Sequence, residues 1–182
     1  MNTWVAFLRG INVGGRNALR MKELATALAD ADCGDVMTYL QTGNVVFRSS
    51  ESSAAALEAR IERVVKAIRD IEVRVLALSS EELRKAIAAN PFPQAESAPK
   101  TLHLFFLSKP PVDPDVESLD ALKADDESFV LTDGVFYIHA PNGMSWSKLA
   151  ARVEKLLGVD ATARNWRTVS KVMEMVEEIG EP

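Results

Sequence analysis

The stretch of this sequence best suited to holding a ligand is residues 9–17, RGINVGGRN. Glycines adopt positive φ at little cost, and successive backbone N–H groups in such a turn form a concavity that accepts an anion. The spacing of Gly10, Gly15 and Arg16 is that of a phosphate-binding P-loop, but arginine replaces the lysine and Asn17 replaces the hydroxyl that holds Mg²⁺. The stretch therefore indicates either an anion site or a tight strand-to-helix connection with solvated arginines.

Two further polar segments are candidates for the same site. Gln41 and Asn44 flank a Thr-Gly pair between two β-prone runs, and Arg164 and Asn165 precede the last predicted helix. Local structure is the simpler explanation of each pair, because these residue types also form turns and cap helices. The candidate ligand-binding residues are Arg9, Asn12, Gly14, Gly15, Arg16, Asn17, Gln41, Asn44, Arg164 and Asn165.

Catalytic chemistry has little support in the sequence. The two histidines, His103 and His139, fall in neighbouring predicted strands of a second sheet, and we expect both on its helix-free face beside Phe105 and Tyr137. No Cys, Asp or Glu lies at ligand spacing to complete a metal site, and Cys33 has no base nearby in sequence. The sequence does not favour an enzyme and predicts neither a metal nor a cofactor.

Composition limits the classes of function. The chain has 182 residues, 47% of them hydrophobic, and a net charge of −5, which argues against a protein that coats nucleic acid by bulk electrostatics. A single cysteine fits a reducing compartment, and no apolar run is long enough for a membrane helix. We therefore expect a cytoplasmic protein of one domain or two small halves.

The first part of the chain predicts a βαββαβ order. Thr3 to Arg9 is a β-prone run, Asn17 is a candidate N-cap for the helix that follows, and residues 41–44 form a hairpin turn with Gly43 at positive φ. This order defines the ferredoxin-like unit, whose helices cover one face of an antiparallel sheet. In that topology the glycine-rich loop and the turn at 41–44 lie at the same end of the sheet, so we expect them to be neighbours.

The second part nearly repeats this order, as βαββα followed by a C-terminal helix in place of a final strand. A helix with Trp146 on its apolar stripe is predicted to end at Gly158. The predicted fold is thus α+β, with a ferredoxin-like half and an extra helix over residues 1–90, a Pro-rich linker over 91–100, and a second α+β half packed on the first over 101–182.

A different hypothesis follows from the same strand order. RNA-recognition modules stack bases on aromatic rings of their two central strands, and Phe7 and Phe47 would be the counterparts here. The segment around Phe47 lacks the expected glycine-aromatic pattern, and burial explains both rings more simply. An interaction module that uses a sheet face or the last helix to contact protein or RNA therefore stays open as an alternative, as does an unrecognised enzyme.

The chain resembles, over nearly its full length, a family of uncharacterised bacterial proteins known as domain of unknown function 1697. The resemblance rests on residues 7–15 (FLRGINVGG), 38–47 (TYLQTGNVVF), 90–92 (NPF) and 162–169 (TARNWRTV). Arg16 and Thr42 stand where the family usually has lysine and serine, and both exchanges keep the chemistry. The resemblance implies a ferredoxin-like α+β fold and no particular activity.

These observations together predict a small binding protein. The expected partner is a phosphate-bearing small molecule or nucleic acid, bound where the glycine-rich loop meets the hairpin turn, with Arg9 and Arg16 supplying charge and Gly14 and Gly15 supplying backbone donors. No membrane partner is expected.

Overall fold

A computed structural model describes residues 1–180 of the chain, which form an α+β fold with two four-stranded antiparallel sheets. The first half contains β1 (Asn2–Arg9), α1 (Met21–Ala29), β2 (Gly34–Tyr39), β3 (Asn44–Ser49), α2 (Ala54–Arg69), β4 (Arg74–Ser79) and α3 (Ser80–Ala88). The second half contains β5 (Leu102–Leu107), α4 (Val116–Leu122), β6 (Ser128–Leu131), β7 (Val135–His139), α5 (Val153–Leu157), β8 (Ala161–Asn165) and α6 (Trp166–Gly180).

Both sheets have the strand order of the split βαβ unit. The first is β2-β3-β1-β4 and the second is β6-β7-β5-β8. The predicted ferredoxin-like class is confirmed, and the second half has one strand more than predicted. Its β8 completes a βαββαβ order before α6 begins.

The chain divides into two compact units. One comprises Met1–Lys85 together with residues from 170 onward, and the other comprises Ala86–Val169. In the first unit, α1 and α2 cover one face of the sheet, where Trp4, Ala6 and Leu8 of β1 belong to the hydrophobic core. No helix within residues 1–180 is long and apolar enough to span a membrane.

Helices α2 and α3 begin at capping residues that their sequences indicate. In α2, the Ser53 hydroxyl accepts a hydrogen bond from the backbone N–H of Ala56 at 3.3 Å, and Asp70 ends the helix in the left-handed conformation. Before α3, Ser79 and Glu82 form a capping box, with each side chain accepting the other residue's backbone N–H. The sequence thus encodes these boundaries locally.

The helix predicted to run from Trp146 to Gly158 is shorter. Its last turn forms α5, which ends at Gly158 with φ 67, but Trp146 closes a separate 3₁₀ turn, Met144–Trp146. The turn-forming Pro-Asn-Gly at 141–143 precedes this segment, and Gly143 has φ 93. That prediction was wrong for the N-terminal part of the segment.

Each half contains the same hydrogen bond between its central strand and its own hairpin turn. Leu8 N donates to Gly43 O at 2.8 Å, and Leu107 N donates to Gly134 O at 2.9 Å, so each central strand bonds to its own hairpin turn. Leu8 also pairs with Val75 of β4, just as Leu107 pairs with Ala161 of β8. These matched contacts make the β1–α1 connection equivalent to the β5–α4 connection.

Candidate functional site

The glycine-rich connection between β1 and α1 folds into a small hairpin, which we call the loop hairpin (residues 10–19). Asn12 N donates to Asn17 O at 3.1 Å, and Arg16 N donates to Val13 O at 3.0 Å. The two glycines between Val13 and Arg16 have φ values of 59 and 74°, as a two-residue type I′ turn requires. The glycines therefore form the tip of a two-stranded ribbon.

The loop hairpin projects from the first unit. Residues 13–18 are all exposed, and Val13 retains 60% of its surface, whereas Ile11 and Leu19 at the base are buried. The apolar side chains at the base anchor the ribbon, and the tip remains available to a partner.

The Asn12 side chain joins the loop hairpin to the β2–β3 turn. Its Oδ1 accepts a hydrogen bond from Leu19 N at 2.8 Å, while Nδ2 donates to Leu19 O at 2.8 Å and to Gln41 O at 2.7 Å. These bonds confirm that the loop and the turn are neighbours, as the topology predicts. Asn12 accommodates this role in the left-handed region, with φ 53°.

The close approach of the turn to β1 requires a glycine at position 43. Gly43 has φ 79°, and a Cβ built there would lie 2.6 Å from Leu8 Cβ and 2.7 Å from Ile11 Cδ1. No side chain fits at those distances without displacing its neighbours. The Gly in this turn therefore sets how closely the two loops approach.

Two other predicted ligand contacts hydrogen-bond within the loops. Asn17 Nδ2 donates to Gly10 O at 2.9 Å, and the buried Asn44 donates from Nδ2 to Tyr39 O at 2.8 Å. Asn17 is not the N-cap of α1. The N-cap is Arg20, and its side chain makes no capping hydrogen bond. Both amides fix the backbone that carries the exposed residues.

Exposed cations lie on the loop hairpin and in the residues that follow it. Arg16, Arg20 and Lys22 are exposed, and none of the three forms an ion pair within residues 1–180. Arg9 and Arg74, also exposed, are paired directly across β1 and β4 at the same end of the sheet. Basic side chains therefore lie at the end of the sheet where the loop hairpin begins.

Arg164 and Asn165 belong to the second unit, where they lie in β8. Arg164 Nη1 donates to Ala163 O at 2.9 Å, and burial lowers the pKa of its guanidinium to about 10. Asn165 Oδ1 accepts a hydrogen bond from Thr168 N at 2.9 Å and so caps α6. Their participation in the site stays a prediction.

The two histidines do not share a face of the second sheet. His103 pairs with Ile138, which belongs to the helix-covered core, whereas His139 pairs with Leu102 and points to the opposite face. The prediction was wrong because Tyr137 pairs with Leu104, which places Phe105 and His103 on one face of the sheet and Tyr137 and His139 on the other. Burial lowers the pKa of His103 to about 4, and its Nδ1 is buried without a hydrogen-bond partner in the described chain.

The structure also bears on the cysteine, on a metal site and on the aromatic rings of β1 and β3. Burial raises the pKa of the Cys33 thiol, which is only 2% exposed. In the part of the chain described by the structure, no three His, Cys, Asp or Glu side chains are placed to hold a metal ion. Phe7 and Phe47 are both fully buried, so the hypothesis that they stack RNA bases was wrong.

Sequence reasoning missed three exposed apolar residues. Leu40 precedes the β2–β3 turn, is 51% exposed and has φ 56°, a strained value for leucine. Val13 lies at the tip of the loop hairpin, and Trp146 is 84% exposed in the second unit. The Gly-Gly pair was a usable signal for the hairpin, and Pro141 to Gly143 was one for the turn before Trp146.

The fold and site define a duplicated ferredoxin-like α+β protein with a basic, projecting loop on its first half. The chain belongs to the family described as protein of unknown function (DUF1697), which it matches over residues 1–137. It is also similar in structure to the conserved bacterial protein SP0830 from Streptococcus pneumoniae, with 24% identity, a TM-score of 0.68, and coverage of 96% of this chain and 98% of the other. That likeness concerns the fold. The comparison with curated proteins found no match.

Proposed function

We propose that the protein binds an anionic, phosphate-bearing ligand at the basic surface formed by Arg16, Arg20 and Lys22 beside the β2–β3 turn. The observation that carries this proposal is the Asn12 side chain, whose two hydrogen bonds to Leu19 close the base of the loop hairpin and whose third, to Gln41 O, holds the loop hairpin against that turn. A fixed base reduces the conformational entropy that binding must remove.

The chemistry of the exposed groups favours phosphate. Guanidinium groups donate parallel hydrogen bonds to phosphate oxygens, and Arg16 and Arg20 have no competing carboxylate among the described residues. The N–H groups of Gly14 and Gly15 make no hydrogen bond within residues 1–180, so they are further donors at the tip.

Thermal unfolding in the presence of pyrophosphate and of ATP tests the proposal. A ligand at about one hundred times its Kd stabilises the folded state by about 2.7 kcal/mol, which raises Tm by several degrees. We expect this rise for the unmodified protein and its loss in the double variant Arg16→Ala/Arg20→Ala.

Lys109→Ala is the matched control, because Lys109 is an exposed cation in the equivalent β5–α4 connection. It should respond to both anions as the unmodified protein does. The proposal is wrong if neither anion raises Tm, or if the arginine variant and the lysine control respond equally. A protein-binding role for a sheet face or for α6, and an enzymatic role, stay predictions.

A further inference from the structure

The charge around the loop hairpin is more positive than the composition of the chain suggests. Residues 1–22 contain four Arg or Lys and no Asp or Glu, and residues 36–50 also contain no acid, although the whole chain has 26 acidic residues. Because salt screens charges over about 8–10 Å, the local potential follows these residues and the adjoining Glu23, which is paired with Arg69, and not the net charge of −5.

The shape of this surface is convex. Six consecutive residues, 13–18, are exposed on a two-stranded ribbon whose base is buried. Enclosing sites for small ligands are concave. A two-stranded ribbon instead fits the major groove of B-form DNA, which is about 12 Å wide.

The surface also lacks groups that stack on bases. Residues 9–22 and 40–44 contain no Phe, Tyr, Trp or His. Proteins that hold single strands rely on aromatic stacking, whereas contacts to a duplex go mostly to its phosphates. A surface with cations and without aromatic side chains is therefore better matched to a duplex than to a single strand.

We infer that the phosphate-bearing ligand of this surface is double-stranded DNA, with the loop hairpin entering a groove and Arg16, Arg20 and Lys22 contacting backbone phosphates. This inference rests on the proposed function, because it names the ligand of the same surface. Duplex RNA is the discriminating alternative, because the major groove of an A-form helix is too narrow and deep for side chains to read.

Fluorescence anisotropy of the full chain with a labelled DNA duplex of about 20 base pairs, at about 50 and 200 mM salt, tests the inference. Three phosphate contacts predict that affinity falls about 40-fold between these salt concentrations, and the one contact left in Arg16→Ala/Arg20→Ala predicts only about a threefold fall. Lys109→Ala should retain the full salt dependence. Duplex RNA and single-stranded DNA of the same length should bind more weakly.

The outcomes separate the two proposals. If ATP or pyrophosphate stabilises the protein through Arg16 and Arg20 but the DNA duplex does not bind, the proposed function holds and the inference is overturned. The inference is also overturned if the single strand or duplex RNA binds as tightly as the DNA duplex, or if the arginine variant keeps the full salt dependence. If neither the anions nor the duplex binds, both proposals fail.

Discussion

Gly43 and Gly14 have similar backbone conformations but different surroundings, and the comparison isolates the effect of close packing. Both have positive φ, of 79° and 59°, yet a Cβ at Gly43 would overlap Leu8 and Ile11, whereas one at Gly14 meets no atom within 4 Å. We expect Gly43→Ala to lower the free energy of unfolding by about 2–4 kcal/mol, from backbone strain and overpacking together.

Gly14→Ala is the control for Gly43→Ala, and it should cost only about 1 kcal/mol, because strain alone applies there. Urea denaturation of both variants measures the difference. Equal costs for the two variants would show that the close approach between the turn and β1 has no energetic consequence.

His103 makes stability depend on pH. Its pKa is lowered by burial from 6.5 to about 4, so between these values the unfolded chain binds the proton more readily than the folded chain. Stability therefore falls as the pH drops below 6.5 toward 4.

We expect His103→Leu to reduce the loss of unfolding free energy between about pH 7 and pH 5 by about 1–2 kcal/mol. Urea denaturation of both proteins at the two pH values measures this difference. An unchanged pH dependence would show that His103 titrates alike in the folded and unfolded chains.

Among the secondary-structure elements, β4 is an edge strand, and its outward N–H groups donate hydrogen bonds to glutamate carboxylates. Val75 N donates to Glu62 at 3.2 Å, and Ala77 N donates to Glu58 at 2.9 Å, both from α2. Ser79 N completes the series through its capping box. In the second half, Glu154 accepts Ala161 N of the edge strand β8 at 2.9 Å. Occupied N–H groups prevent another strand from adding to the sheet.

We expect Glu58→Ala/Glu62→Ala to lower the free energy of unfolding by about 1–3 kcal/mol and to promote self-association, because it leaves two edge N–H groups without acceptors. Light scattering and urea denaturation measure the two effects. Glu58→Gln/Glu62→Gln keeps carbonyl acceptors and should remain close to the unmodified protein, particularly because burial already raises the pKa of Glu58. Self-association of both variants, or of neither, would contradict this role.

Elements with strong local signals could be predicted from the sequence, and those defined by distant partners could not. The stripe of Leu57, Ile61 and Val65 is sufficient to predict α2. In contrast, β8 has the sequence ATARN, which is not β-prone, and it is a strand because Thr162 and Arg164 pair with β5.

The candidate site was predictable in outline only. The topology of the first half predicts that loop and turn are neighbours, but the bond from Asn12 to the Gln41 carbonyl depends on the exact distance between them. The loop hairpin was not predicted from the sequence, because Arg16 and Asn17, which follow its Gly-Gly tip, are both polar and lack the alternating hydrophobic pattern of ordinary hairpins.

For the whole molecule, the two halves have equivalent strand-to-turn hydrogen bonds but different loops after their first strands. Leu8 and Leu107 make equivalent bonds to their hairpin turns, yet residues 10–20 are glycine-rich and basic whereas residues 108–115 are proline-rich. The equivalent contacts stabilise both halves. The loop that distinguishes the first half is therefore where we expect its specific function.

The three tryptophans differ in solvent exposure, so their fluorescence can be told apart. Trp4 is 5% exposed in the apolar core of the first unit, with its indole nitrogen buried and unbonded in the described chain, and Trp166 is 8% exposed, whereas Trp146 is 84% exposed. Indole fluorescence shifts to shorter wavelengths in apolar surroundings and is quenched by solutes that reach the ring. A soluble quencher therefore removes chiefly the emission of Trp146, and the blue-shifted emission that remains comes from the two buried rings.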